Sequence, residues 1–390
     1  MSVWRVPGMP ALLACAALGF TGFSLLLPAA PMWAVHIGAD NLGAGVVNSV
    51  LMLCTVIAQL LVGKFLRRAG WGITLALGLI LLGAPALFHP FAASLWQVLL
   101  LAALRGLGFG VLTVCGVRGI AALIPQERRG RAIGAYGLAI AAPQFVFTPL
   151  APWLAEHMGY QLVFVLAAAP LLAVPLAFTR PAPHLADEPG TGRLAGISGL
   201  VLPISALVVI TAAGGGILTF APQLGGTATA FAALLAMTGT TALARWLIGG
   251  VADRHGPARF IAPMLGVGAV GLAVIATGIN LGRLMGAALV IGGCVLVGIS
   301  YGALQNLTLV HAFTATGRSG DQVGHGAVSV AWNVGFDAGT GLGSLAVGAL
   351  ATSFSFPTAF AVMTAACVGV GMMWVFHRHD GYGPGRDAAA

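Results

Sequence analysis

Charge is what this sequence has least of: only 7% of its 390 residues are Asp, Glu, Lys or Arg, where an ordinary water-soluble domain carries about 25%. That shortage excludes water as the main solvent of the fold. The five cysteines, Cys15, Cys54, Cys115, Cys294 and Cys367, are odd in number and all lie in apolar runs. They outline neither a disulfide framework nor a metal-ligand spacing and read as small packing residues. Also missing are a Gly-x-Ser-x-Gly elbow, a phosphate-cradling Gly-x-x-x-x-Gly-Lys-Ser/Thr loop and a His-Glu-x-x-His helix. Hydrolytic chemistry and ATP as a direct energy source are disfavoured accordingly. No stretch is long and polar enough for a sizeable soluble domain.

What is present is hydrophobic, 58% of the chain, with 57 glycines among it. A bilayer span needs about 20 mostly apolar residues, and runs of that length recur from end to end. Small residues let lipid-embedded helices approach closely, so the glycine load fits helices in a membrane. The expected fold is an all-α membrane protein of twelve transmembrane helices in two pseudo-symmetric six-helix bundles. The first set of spans falls near 9–36, 42–66, 71–89, 94–122, 131–156 and 160–179. The second falls near 197–222, 226–250, 259–280, 284–314, 323–351 and 356–377. The first run is too long for a signal-peptide core and reads as a retained helix. The expected divisions are an N-terminal bundle over 1–180, a cytoplasmic linker over 181–196, a C-terminal bundle over 197–378 and a cytoplasmic tail over 379–390. The linker is polar and Pro-rich, with Pro181, Pro183, His184, Asp187, Glu188 and Pro189.

A net charge of +8 invites a nucleic-acid reading, but the basic residues sit at span ends and form no patch with interleaved aromatics. With the N-terminus inside, every Lys and Arg except Arg105, Arg245 and Arg283 falls on the cytoplasmic side. This is the positive-inside pattern, and it predicts a multi-pass protein of the plasma or inner membrane with both termini cytoplasmic.

The chain also repeats itself. Gly63-Lys64-Phe65-Leu66-Arg67-Arg68-Ala69-Gly70 after span two aligns with Gly249-Gly250-Val251-Ala252-Asp253-Arg254-His255-Gly256 after span eight, a shift of 186. Arg105 to Gly110 in span four meets Val297 to Gly302 in span ten at a shift of 192. Two parallel copies of a six-span unit place a substrate cavity between them near the midplane.

Gly249-x-x-x-Asp253-Arg254-x-Gly256 resembles the cytoplasmic loop signature of the major facilitator superfamily, and the layout of the whole chain is similar to that family's. Pro125-x-x-Arg128-Arg129-Gly130 looks like its efflux-type members. The resemblance implies a secondary transporter, with no enzyme activity and no cofactor, that works by alternating access. Its partners would be a small-molecule substrate, protons or another coupling ion, and membrane lipid, and it would act as a monomer. Departures accompany the match: Arg67 stands where the signature carries Asp, Ala102 where the span-four pattern has Arg, and Thr148-Pro149 where antiporters usually show Gly-Pro.

On this reading Gly63, Arg67, Arg68, Gly70, Gly249, Asp253, Arg254 and Gly256 form the cytoplasmic gating motif. Their charges pair and unpair as the halves rock, or simply anchor helix ends among headgroups. Within the membrane, Asp337 is the one acidic side chain well inside a span. A charge at that depth costs about 2.5 to 3.5 kcal/mol on insertion scales, so it should face a cavity or a partner. It is the candidate for proton coupling, against a structural pairing with Arg245 or Asn333. Arg105 and Arg245 are candidates to hold an anionic or carbonyl-bearing substrate, or to bond helix carbonyls. Gln144, Gln305, Asn306 and Asn333 are cavity candidates that interhelical hydrogen bonding explains equally well. The functional expectation is proton-coupled export of small hydrophobic or amphipathic compounds. The rivals are a facilitator or symporter importing a small organic anion, and a non-transporting membrane receptor.

Overall fold

A computed structural model describes residues 6–124, 129–179, 198–281, 283–318 and 325–380. The 181–196 linker, most of the 379–390 tail and the Pro125 to Arg128 part of the efflux-like motif lie outside the described residues.

Eleven described segments are long and apolar enough to cross a membrane, and one of them, Asn41–Phe91, is 51 residues long. At about 1.5 Å per residue that segment is more than twice as long as a hydrocarbon core of about 30 Å requires. It is two spans. Gly70 interrupts it with φ 76° and ψ 173°, a conformation open essentially to glycine alone. The chain also returns along its own path: Gly106 and Gly110 abut the backbone of Leu51 and Thr55, while Gly108 abuts that of Gly78 and Leu82. One helix touches residues on both sides of Gly70 at the same depth, so the chain reverses there.

The helices are therefore α1 (Met9–His36), α2 (41–69), α3 (71–91), α4 (Leu95–Leu123), α5 (Arg129–His157) and α6 (Tyr160–Phe178). The second half holds α7 (Ser198–Phe220), α8 (Thr227–His255), α9 (Ala258–Ile279), α10 (Arg283–Arg318), α11 (His325–Ser353) and α12 (Phe356–Asp380). Asp40 caps α2 by accepting from the Gly43 N–H at 2.8 Å, and Ser94 with Gln97 forms a capping box on α4, as side-chain oxygens do at helix starts. The ends of α3 and α6 tighten to 3-10 geometry over Ala84–Phe91 and Ala169–Phe178. Pro85 and Pro90, and Pro170 and Pro175, lie in those stretches and cannot supply the amide hydrogens an α-helix needs.

The sequence repeat reappears as a repeat of contacts. Thr55 donates to the Gly106 carbonyl at 3.1 Å, and Thr241, 186 residues on, donates to the Gly298 carbonyl at 3.2 Å. Gly110 and Gly302 abut the backbones of Thr55 and Thr241. Gly256 matches Gly70 with φ 79°. The basic end of the bundle carries Lys64, Arg67, Arg68, Arg118, Arg254 and Arg259; the far end carries His36, Asp40, His89 and His157.

The two halves join chiefly through α2 against α11, with α5 against α8 as a second seam. Among the described residues, four hydrogen bonds cross between them: Leu42 N to Thr352, Asn48 to Thr219, Ser49 to Gly341 O, and Gln59 to Asp337. All lie between the middle and the far end. Toward the basic end, Gly134 and Gly137 of α5 and Gly250 of α8 have open space where a side chain would begin.

Candidate functional site

Asp337 is 5% exposed and sits near the middle of α11. Its Oδ2 accepts a hydrogen bond from Gln59 Nε2 on α2 at 2.7 Å, so the buried acid is held from the other half of the molecule. The same Gln59 amide lies 3.4 Å from Thr113 Oγ1 on α4, and its own carbonyl oxygen, Oε1, has no partner among the described residues. On the C-terminal side, Tyr301 of α10 is buried with its ring against Phe336, the neighbour of Asp337 in the chain.

Arg245, Gln305 and Asn306 come together on α8 and α10. Arg245 Nη1 donates to Gln305 Oε1 at 3.2 Å, and Asn306 Nδ2 donates to the Arg245 carbonyl at 3.3 Å. Tyr301 stands one helical turn before Gln305, so this cluster and Asp337 form one polar strip. Beside it runs an aromatic wall: the Phe336 ring is 6.0 Å from Tyr301, edge on, and 5.6 Å from Trp332, stacked. The Trp332 indole N–H donates to Thr308 at 3.1 Å, which fixes the stack against α10. Polar groups that converge beside a rigid aromatic surface suit an amphipathic guest.

The other candidates lie apart. Asn333 donates to the Ser329 carbonyl of its own helix at 2.8 Å. Gln144 is half-buried on α5, which packs on α8. Arg105 is fully buried in the N-terminal bundle, where Nη2 donates to the Gly22 carbonyl at 3.4 Å while Nε and Nη1 have no partner among the described residues. In the loop motif, the Arg118 guanidinium and Arg67 both approach Gly63, so basic groups cluster where the signature elsewhere carries Asp. Asp253 and Arg254 are exposed at the end of α8, Gly256 caps that helix, and Gly249 lies against the Asn306 amide.

Gln59 and Tyr301, central here, did not stand out in the sequence. A lone amide or phenol in an apolar run is common, and only packing reveals that Gln59 bonds Asp337 and that Tyr301 lies against its neighbour Phe336. Gln59 carried the one usable signal, an amide deep in span two of the kind noted at Gln144 and Asn333.

The sequence model of the Major Facilitator Superfamily matches residues 12–335. The chain is 29% identical over 174 residues to multidrug resistance protein MdtG of Escherichia fergusonii, covering 43% of this chain and 42% of that protein. It is 32% identical over 157 residues to the "Probable 4-methylmuconolactone transporter" of Cupriavidus pinatubonensis, covering 39% and 36%. The matched stretch thus spans about two-fifths of these relatives' length. Among solved structures, the fold is similar to a bacterial homologue of the human lysosomal transporter Spinster in an inward-facing, occupied conformation. The TM-score is 0.77 and the identity 16%, covering 97% of this chain and 98% of that one. It is similar also to the nucleoside transporter NupG, with a TM-score of 0.73 and 11% identity over 95% and 98% of the two chains. The family match over most of the chain, joined to the membrane-length helices of two like halves among the described residues, makes this protein a member of the Major Facilitator Superfamily.

Proposed function

We propose that the protein exports small hydrophobic or amphipathic compounds in exchange for protons across the plasma or inner membrane, with both termini and the basic end in the cytoplasm. The observation that carries this reading is Asp337, a buried carboxyl on the seam between the halves, next to the Tyr301–Phe336–Trp332 wall. A carboxyl there can take up and release a proton, and the aromatic surface can take the apolar part of a guest. The likeness to MdtG, a multidrug resistance protein by name, supports export. The basic end, where Gly134, Gly137 and Gly250 face open space, is the side from which a cytoplasmic compound would enter.

A pH jump across proteoliposomes containing the purified protein tests the reading, with ethidium as the amphipathic probe. Wild-type protein should move ethidium faster when protons flow the other way. Asp337→Asn should abolish that acceleration while the protein remains folded. A rate that still follows the pH gradient in Asp337→Asn removes the acid from the coupling step. A second reading, import of a small organic anion, is favoured by the Arg245 guanidinium beside Gln305. Counterflow of a labelled organic acid, in place of dye transport, would mark it.

A further inference from the structure

Of the four hydrogen bonds that cross between the halves among the described residues, the one nearest the middle of the membrane is also the only one whose acceptor is ionisable. Resting on the coupling role proposed above for Asp337, we infer that Gln59 is its positioning residue and locks the empty, deprotonated carrier against returning through the membrane.

The argument starts from the bond itself. Gln59 Nε2 lies 2.7 Å from Asp337 Oδ2, both side chains are buried, and they belong to α2 and α11. A hydrogen bond to a charged acceptor is roughly twice as strong as one between neutral groups. Breaking it in a membrane interior strands a carboxylate, which is the costliest group to leave unpartnered. Rocking that opened the far end would pull α2 from α11 and break this bond along with the three beyond it. The ionised acid therefore holds the far end shut.

A proton added to either carboxylate oxygen makes a neutral acid and changes no other bond. The hydrogen bond becomes neutral, and its rupture no longer strands a charge. Substrate bound at the polar strip can relieve the same penalty by offering Asp337 another donor. Either ligand then permits the return, and the empty ionised carrier does not make it. That is the condition an exchanger needs to avoid running protons downhill without cargo.

The surroundings leave this role to Gln59. α10 brings the buried Tyr301 ring against Phe336, next to Asp337, and Arg245 of α8 donates to Gln305 on that same helix. α7 offers the adjoining turns of α11 the apolar Ile204 and the Thr211 hydroxyl, which donates to its own helix carbonyls. α12 carries no charged residue from Phe356 to Phe376. These partners all lie in the C-terminal half and move with Asp337; Gln59 lies in the other half.

The test needs no substrate. Full-length protein in liposomes loaded with pyranine is placed under an inside-negative potential, and proton entry is followed. Wild-type vesicles should be nearly tight. Gln59→Met, which keeps the volume and loses the amide, should leak at least about tenfold faster, the scale of a hydrogen bond to a charged group. Gln59→Ala serves as a second variant of different bulk. Adding Asp337→Asn to Gln59→Met should abolish the leak, since no carboxyl remains to carry the proton. Thr113→Val, which removes the other neighbour of the amide, should stay tight. A Gln59→Met protein that melts like wild type and remains tight overturns the lock while leaving Asp337 as the coupling acid. A leak of equal size in Thr113→Val also overturns it, because general loosening then accounts for both. Unchanged pH dependence of ethidium transport in Asp337→Asn fails the underlying coupling reading instead.

Discussion

Asn48 on α2 donates through Nδ2 to Thr219 Oγ1 on α7 at 2.8 Å and to the Leu27 carbonyl on α1 at the same distance. Thr219 in turn lies 2.9 Å from Ser344 Oγ on α11, so one amide ties four helices from both halves at the far end. Asn48→Ala should remove about 1 to 3 kcal/mol of that closure. The expected outcome is a shift toward far-end-open protein, read as a longer distance between spin labels on the ends of α2 and α11. An unchanged distance distribution would mean that backbone packing at Gly45 and Gly348 closes this end without the side-chain cluster.

Gly70 and Gly256 occupy equivalent turns with φ 76° and 79° and have nothing within 4 Å where a side chain would begin. Space is not the constraint; backbone conformation is. Gly70→Ala and Gly256→Ala should each cost about 1 to 3 kcal/mol and lower the melting temperature by similar amounts, as the repeat requires. A drop in one and none in the other would show that the two loops are not mechanically equivalent.

Much of this architecture was legible because the bilayer leaves few options. Apolar runs had to be helices, and the glycines of Gly106 to Gly110 and Gly298 to Gly302 announced close packing at a fixed shift. The reversal at Gly70 was legible as well, since no span could be as long as the segment containing it. The candidate site was legible only in part. Asp337 declared itself by the cost of its burial, and Arg245 with Gln305 and Asn306 by their rarity in apolar runs. Which groups meet was not readable, because Gln59 and Asp337 lie 278 residues apart and face each other only once the two halves dock. Arg105 has the same sequence signature as Arg245, yet one is buried inside a bundle and the other exposed. Helix rotation decides that, and composition does not record it.

Arg105 has two nitrogens without partners among the described residues and one bond of 3.4 Å. Replacing a poorly compensated buried charge by an apolar group of similar volume is often neutral or stabilising. Arg105→Met is therefore expected to hold or raise the melting temperature. If the guanidinium is kept for transport, ethidium flux should fall by about tenfold or more in the same variant. Stability lost with flux retained would assign Arg105 to holding α4 against α1 through the Gly22 carbonyl.

Arg245 separates the two functional readings, because its guanidinium already has a neutral partner in Gln305 and adds a positive charge to the polar strip. For a cationic amphipath that charge is unfavourable, since like charges repel. For an organic anion it would be the main attraction, worth a charge-assisted hydrogen bond. Arg245→Met should therefore leave ethidium export unchanged or faster, and binding measured by thermal stabilisation should follow the same direction. A loss of about tenfold or more in the uptake of a labelled organic acid, with no dye transport to lose, would reverse the assignment. The same side chain would then mark an importer, and the aromatic wall beside Asp337 would serve packing alone.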